Sequence, residues 1–424
     1  MKNFIQSVKG TREFYPETMA VRQWLYGKIR NVSESFGYQE WDGPFLEKID
    51  LYAAKSGEEL VKEQAFVFPD RGGDLITLRP ELTPSLARMV AQKQGELALP
   101  LRWWSFGPFW RYERPQKGRT REFFQWNIDL IGANSPEADA ELVAICANFF
   151  RSVNLAPSQI QISVNHRKLM EQELTAMGIG SDKYKAIFRL IDRRDKMSAD
   201  AWDQYGQEVG LSLTQLSELK RILTDKDLWK KSEELKRIFA ALEKMGIAEY
   251  VHFEPSIIRG LDYYTGIVFE AWDMAGDGRA VAGGGHYDNL VSDVGGDPLP
   301  GVGFAMGDVM VTLILEKYGK IPALNSFAET VLVTVFDEAL IGESVEAANL
   351  LRAAGLKAIG YPEVAKLPKQ LKFADRMGIR FAVVIGPDEA AEGKVTVKDL
   401  SAHTQQTVAK AEAAAILQQF LAKP

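Results

Sequence analysis

The chain has 424 residues, 46% hydrophobic and 25% charged, which is ordinary globular composition with room for two or three domains. A formal net charge of −6 excludes a positive field over the whole molecule, so any nucleic-acid contact has to come from local patches. A single cysteine, Cys146, excludes an internal disulfide and a cysteine-based zinc site. No apolar run reaches the about 18 residues of a membrane span, and Met1 to Gly10 lacks the apolar core of a signal peptide, so no membrane and a cytoplasmic location are expected.

Residues 9–16 are turn-rich. An amphipathic helix is expected from about Pro16 to Phe36, with Leu25, Ile29, Val32 and Phe36 near helical spacing and Gly37 as its C-cap. A short strand over Tyr38 to Asp42 stops at Gly43-Pro44, and the pattern predicts a helix over Glu47 to Lys62. Ala65 to Phe68 and Leu75 to Arg79 pair as strands across the turn at Asp70-Arg-Gly-Gly-Asp. Thr83 at the N-cap and Pro84 at the first helical position then open a helix. Glu81 and Thr83 suit an ammonium group, and equally an ordinary helix start with its acid and its cap.

The most informative stretch is a hairpin. Leu101 to Arg111 and Phe123 to Ile131 are aromatic and apolar enough for buried strands, and the loop between them carries Arg114, Lys117, Arg119 and Arg121. Arg111 and Glu113 sit at the strand end, where a rigid sheet can aim them. Fixed guanidinium groups suit phosphate because they present several donors in one plane. A solvated hairpin tip is the plain alternative.

A helix from Pro136 to Val153 and a strand from Ile160 follow. From about His166 to Tyr250 the pattern is helical, polar and charged, which predicts a helical insertion. Strands return at Val251 to Pro255, Gly266 to Trp272 and Ala280 to Ala282. Two glycine-rich turns are expected at Gly283-Gly-Gly-His-Tyr-Asp and at Pro300-Gly-Val-Gly-Phe-Ala-Met-Gly-Asp, then a helix from Gly307 to Tyr318. The turn at Ile258-Arg-Gly-Leu-Asp-Tyr-Tyr-Thr-Gly places an Arg, an Asp and two Tyr together. Two apolar walls with polar tips suit an aromatic or imidazole ligand, or a locally bonded Tyr pair. The four His are scattered without metal-ligand spacing, and neither glycine stretch is a phosphate-binding P-loop. Irregular alternation with several hairpins predicts an α+β domain with a mostly antiparallel sheet flanked by helices.

A linker is expected over Lys320 to Glu329. Beyond it strands at Thr330 to Phe336, Ala358 to Tyr361, Phe381 to Ile385 and Lys394 to Asp399 alternate with helices at Ser344 to Ala354, Lys369 to Met377 and Thr407 to Leu421. That spacing predicts a small α/β domain. The expected division is 1–325, with the helical insertion at about 170–250, and 326–424.

Together these stretches resemble the histidyl-tRNA synthetases, class II aminoacyl-tRNA synthetases, over nearly the whole chain. Phe109-Trp-Arg-Tyr-Glu-Arg-Pro-Gln-Lys-Gly-Arg through Gln125 resembles motif 2. Arg259-Gly-Leu-Asp-Tyr-Tyr-Thr-Gly resembles the histidine-specific signature, and Leu78-Arg-Pro-Glu-Leu-Thr resembles the amino-acid loop. Residues 36–44 resemble motif 1, which builds the dimer interface, and the last 95 or so residues resemble the anticodon-binding domain. The resemblance implies ATP-dependent attachment of L-histidine to tRNA(His) through histidyl-adenylate, in a homodimer, with Mg²⁺ neutralising phosphates. By motif position it implies that Arg111 and Arg259 act on the α-phosphate. Glu81, Thr83 and Gln125 hold histidine's amino end, and Asp129, Tyr263 and Tyr264 line its side-chain pocket. Glu113 and Arg121 contact ATP, and Gln116, Lys117 and Arg119 meet the tRNA acceptor end. The Mg²⁺ ligands stay unnamed.

Two departures stand out. Motif 3 usually ends Gly-x-Glu-Arg, but Val309 and Met310 occupy the last two places, and His286 stands before Tyr287 where Arg is usual. The alternative is a non-catalytic paralogue with the same fold, the regulatory subunit of ATP phosphoribosyltransferase. The signature at 259–266 and the C-terminal domain argue against it.

Overall fold

The computed structural model describes residues 4–53, 63–258, 263–276, 279–325 and 327–422. Helix α1 (Pro16–Ser35) ends where expected: Gly37 has φ +80°, its N–H donates to Glu34, and the Tyr38 N–H donates to Ser33. That pair of bonds satisfies the last carbonyls, and only glycine takes the left-handed turn without cost. Strand β1 is short (Gln39–Glu40). Residues 47 and 48, expected in a helix, belong instead to β2 (Leu46–Lys48), and only α2 (Asp50–Ala53) is helical among the described part of that segment. The reason is pairing: β2 finds β4 (Leu75–Leu78), which also pairs with β3 (Phe66–Pro69) in a three-stranded antiparallel sheet. Residues 54–62 of the expected helix lie outside the described residues.

The next elements are α3 (Thr83–Lys93), β5 (Leu101–Trp110), β6 (Glu122–Ile131), α4 (Pro136–Ser152) and β7 (Ile160–His166). A helical stretch follows with α5 (Arg167–Ala176), α6 (Tyr184–Asp192), α7 (Ala199–Glu208), α8 (Leu213–Ile222) and α9 (Glu233–Lys244). Then come β8 (Val251–Phe253), β9 (Ile267–Asp273), β10 (Ala282–Tyr287), β11 (Gly301–Gly307) and α10 (Asp308–Lys317). The two glycine-rich stretches expected as turns are therefore strands, and they lie in the middle of the main sheet.

That sheet has eight strands in the order β1-β5-β6-β11-β10-β9-β7-β8. Its five inner pairings are antiparallel and the two edge pairings, β1 with β5 and β7 with β8, are parallel. A mostly antiparallel sheet with helices packed on it is what the irregular hairpins predict. One face carries Trp104, Trp126, Ile128, Phe304 and Phe269, all at most 4% exposed, against α4. On α4 itself Leu142, Val143, Ile145, Cys146, Phe149 and Phe150 are buried, so Cys146 is a core residue. Each large apolar side chain buried this way contributes about 1.5–3 kcal/mol. Ser135 caps α4 through the Ala138 N–H, fixing where the helix meets the sheet.

The chain forms two compact units: residues 1–13 with 23–322, and residues 14–22 with 323–424. The second unit has its own core around Val331, Val333, Phe381 and Val383. Its elements are β12 (Thr330–Val333), α11 (Ile341–Ala353), β13 (Lys357–Gly360), α12 (Leu367–Met377), β14 (Phe381–Val384), α13 (Pro387–Ala391), β15 (Lys394–Asp399), β16 (Thr404–Ala409) and α14 (Ala413–Leu421). Its sheet runs β13-β12-β14-β15-β16, parallel in the first three strands and antiparallel after them. The expected helix over 407–421 is split, because residues 404–409 pair with β15 before α14 begins. Among the described residues no helix is long and apolar enough to cross a membrane.

Candidate active site

The open face of the main sheet is built around missing side chains. Strand alternation puts Gly283 and Gly285 of β10 and Gly301, Gly303 and Gly307 of β11 on the same face as Gln125 and Asp129 of β6, since Gly303 pairs with both Asp129 and Gly285. The result is a glycine-rich floor in which Ala305 adds only a methyl. It is crowded at one end and open at the other. A Cβ on Gly303 would overlap the Asp129 carboxylate, and one on Gly285 would lie 2.7 Å from the Tyr264 ring. One on Gly307 would meet nothing within 4 Å.

At the crowded end Asp129 is buried, and burial pushes its carboxyl up to about 7 against the opposing bond from Tyr287. Tyr287 donates that bond at 2.9 Å and is itself held well above the usual phenol range by burial. Tyr263 packs edge-on to Tyr287 with centroids 6.4 Å apart, and Tyr263 and Tyr264 lie 4.7 Å apart. One carboxyl and three Tyr thus form a single cluster. Tyr287 joins it only because β10 is a strand in register with β11, which the sequence reading missed by taking the glycines for a turn.

Arg111 sits at the end of β5, half-buried, its Nε donating to the Pro80 carbonyl at 2.9 Å and its guanidinium over the Phe123 ring at 5.3 Å. Pro80 and Glu81 lead into α3, so Arg111 is tied to the loop that carries Glu81 and Thr83. The start of α3 differs from expectation by one residue. Leu82 is the N-cap and Thr83 opens the helix, and Leu82 offers no side-chain cap bond. The helix is fixed instead from below by Glu47, which accepts from Ser85 at 2.8 Å and from Arg88 at 2.7 Å.

The loop between β5 and β6 closes in a tight turn in which Gln116 and Arg119 exchange backbone bonds and Gly118 has φ +79°. Gln116, Lys117 and Arg119 are exposed there. Glu113 and Arg119, which the resemblance gives to different ligands, bond each other at 2.9 Å. Arg121 stacks over Tyr112 at 4.0 Å, and its backbone N–H donates to the Gly10 carbonyl. A side chain on Gly118 would overlap the Met310 sulfur, so the residue in the motif 3 Arg position supports the loop tip. Beside it Asp308 accepts from the Phe124 N–H at 2.8 Å and from Arg12 at 2.9 Å. His286 points to the opposite face, buried between Asp139 at 2.7 Å and Asp288 at 3.3 Å. Burial opposes its charge, but the bonds and charges of Asp139 and Asp288 together outweigh it and the imidazole pKa is raised.

Gln125 and Asp129 therefore share one face with Tyr264 and Tyr263 packed at it, and Arg111 is bonded to the loop that carries Glu81 and Thr83. Arg259 lies outside the described residues.

A family model of histidyl-tRNA synthetase matches residues 10–309, and one of an anticodon binding domain matches residues 330–420. The chain belongs to the histidyl-tRNA synthetase family. Among curated proteins it is similar to a histidine–tRNA ligase of Opitutus terrae, 36% identical over 98% of each chain. It is 38% identical to the chloroplastic/mitochondrial histidine–tRNA ligase of Arabidopsis thaliana, covering 94% of this chain and 83% of that protein. A crystal structure of histidyl-tRNA synthetase from Nostoc sp. PCC 7120 superposes with a TM-score of 0.84 at 26% identity, covering 99% of this chain and all of that one. A Bacillus halodurans structure described as an ATP phosphoribosyltransferase regulatory subunit/histidyl-tRNA synthetase shares the fold at 22% identity, with a TM-score of 0.73, 88% of this chain and 97% of that one.

Proposed function

We propose that the protein attaches L-histidine to tRNA(His) with ATP through histidyl-adenylate, the reaction its family membership carries. The observation behind the residue roles is the glycine-rich face that carries Gln125 and Asp129, together with the bond from Arg111 to the loop that carries Glu81 and Thr83.

Histidine's carboxylate oxygen attacks the α-phosphorus of ATP, forming the acyl–phosphate bond as the α–β bridging bond breaks and pyrophosphate leaves. The terminal ribose hydroxyl of the tRNA then attacks the acyl carbon and AMP leaves. No covalent enzyme intermediate is needed, so the residues act by positioning and charge. Arg111 takes the α-phosphate, and Arg259 is assigned to its other side by resemblance. Glu81, Thr83 and Gln125 hold the amino end. Asp129 accepts from the imidazole between the walls of Tyr263 and Tyr264, and a site built to hydrogen-bond rejects an apolar isostere strongly. Glu113 and Arg121 serve ATP, and the exposed Gln116, Lys117 and Arg119 serve the acceptor end.

Mg²⁺ enters as part of the MgATP substrate. Among the described residues no three His, Cys, Asp or Glu side chains gather into a cage, and Mg²⁺ commonly binds through phosphates with one or two carboxylates. A homodimer is supported by one face of the three-stranded sheet, where Leu46 and Phe68 are 50% and 41% exposed, with Phe45 45% exposed just before β2, next to the segment resembling motif 1.

Histidine-dependent ATP–pyrophosphate exchange without tRNA tests the proposal. Exchange with histidine and with no other amino acid is expected. Histidine binding without exchange would favour the regulatory paralogue. Within an active enzyme, Arg259→Ala is expected to cut adenylate formation far more than histidine binding, and equal losses would reassign that residue.

A further inference from the structure

Arg79 follows β4 directly and its side chain is fully buried, a costly place for a cation. Its guanidinium lies between the rings of Phe45 and Phe109, 4.5 Å and 4.7 Å from their centroids. Nη1 donates to Asp42 Oδ1 at 2.5 Å and to the Gly43 carbonyl at 3.0 Å, and Nε donates to the Pro108 carbonyl at 2.9 Å. The backbone repeats the pattern. The Arg79 N–H donates to the Phe45 carbonyl at 2.8 Å, and the Arg79 carbonyl accepts from the Trp110 N–H at 3.1 Å. Three segments that are distant in sequence therefore close on one residue: the turn at 42–45, the end of β5, and the loop into α3.

The remaining nitrogen, Nη2, is buried without a hydrogen-bond partner and packs on Gly107, where a Cβ would overlap it. Gly107 thus admits the guanidinium between the strand and the turn. Leaving a buried donor unmatched is unfavourable, which makes a role confined to holding the fold a poor explanation for the choice of Arg. What the planar fork supplies is direction: both faces are covered by rings and its edges address carbonyls in two segments, which a lysine point charge cannot do.

Both groups proposed to hold the reacting partners hang from this joint. Glu81 is two residues beyond Arg79. Arg111 follows Trp110, and its Nε is bonded to the Pro80 carbonyl. We infer that Arg79 is a positioning residue for adenylate formation, fixing the spacing between the Arg111 guanidinium and the Glu81 loop so that the α-phosphate and the histidine ammonium are presented together. This rests on the roles proposed above for Arg111 and Glu81.

The test uses the full-length protein, with Arg79→Lys, Gly107→Ala and the double variant compared in histidine-dependent ATP–pyrophosphate exchange. Rates are expressed per site competent to bind histidine by calorimetry, so that lost folding does not count as lost chemistry. Arg79→Lys should lower kcat about tenfold or more, with KM for histidine and ATP each moving less than about threefold, as misplacement rather than lost contact predicts. Gly107→Ala displaces the guanidinium without removing it and should lower kcat in the same direction. In the Arg79→Lys background it should add nothing, because the nitrogen it strikes is gone. Wild-type kcat in Arg79→Lys, or penalties that multiply in the double variant, would overturn the inference. If Arg79→Lys does not fold, Gly107→Ala decides by the same kcat criterion. Absence of exchange in the unaltered protein would instead sink the proposed function.

Discussion

Asp129, proposed to line the histidine pocket, carries a conditional charge. Burial holds its carboxyl near 7 and the Tyr287 hydroxyl pulls the other way. A carboxyl whose folded pKa lies above its unfolded value binds more protons when folded. Its contribution to stability is therefore fullest below the unfolded value near 4 and declines as pH rises through about 7. Asp129→Asn should flatten the fall in stability across that window, measured by urea denaturation at a series of pH values. Removing the Tyr287 hydroxyl takes away a bond that favours the carboxylate. Tyr287→Phe should thus move the midpoint of pH-dependent histidine binding upward, read by calorimetry after allowing for histidine's own titration. An unmoved midpoint would mean that another donor controls Asp129. The carboxylate and the Tyr263–Tyr264 pair were legible because they fall within or beside motifs with distinctive residues. Tyr287 was not, since its place beside Asp129 follows from strand register, which its own neighbours in sequence do not reveal.

The two glycine strands show why the sequence underdetermined the elements. Glycine is poor in strands because it packs nothing and costs entropy, so Gly283-Gly-Gly and Gly301-Val-Gly read as turns. In the fold the missing side chains leave an open floor on one face and allow close packing on the other. The faces should respond differently to the same added methyl. A Cβ on Gly284 would overlap the Gly303 backbone and come within 2.5 Å of the Phe304 Cβ, on the packed face. Gly284→Ala should therefore cost about 1–3 kcal/mol or more in chemical denaturation. Gly307→Ala has open space before it on the face proposed to take the ligands. It should leave the denaturation midpoint unchanged and raise KM for ATP or histidine. Equal destabilisation by both would mean that the floor is packed rather than open. Residues 47 and 48 failed for a related reason: a helix-compatible string became a strand because β4 offered it a partner.

At the scale of the molecule the chain divides its work between two cores. The change from irregular hairpins to alternating strands and helices near residue 330 was plain in the sequence, because hydrophobic period and spacing change together there. The β15–β16 hairpin was lost because Thr404 to Ala409 carries little apolar alternation and is mostly exposed. In the second unit, parallel strands β12 and β13 end beside a cavity of about 690 Å³ lined by Phe336, Val364, Lys366 and Leu367, with Phe336 49% exposed. Ligands of open α/β sheets favour the carboxyl ends of the strands, and an exposed ring there suits an unstacked base. Base–aromatic stacking contributes about 1–3 kcal/mol, so Phe336→Ala should reduce kcat/KM for tRNA(His) roughly tenfold in aminoacylation. The same variant should leave exchange without tRNA untouched, because every residue proposed for the activation chemistry belongs to the first unit. A fall in exchange would mean that the second unit shapes the first. Unchanged aminoacylation would move the base-reading surface elsewhere on the second sheet.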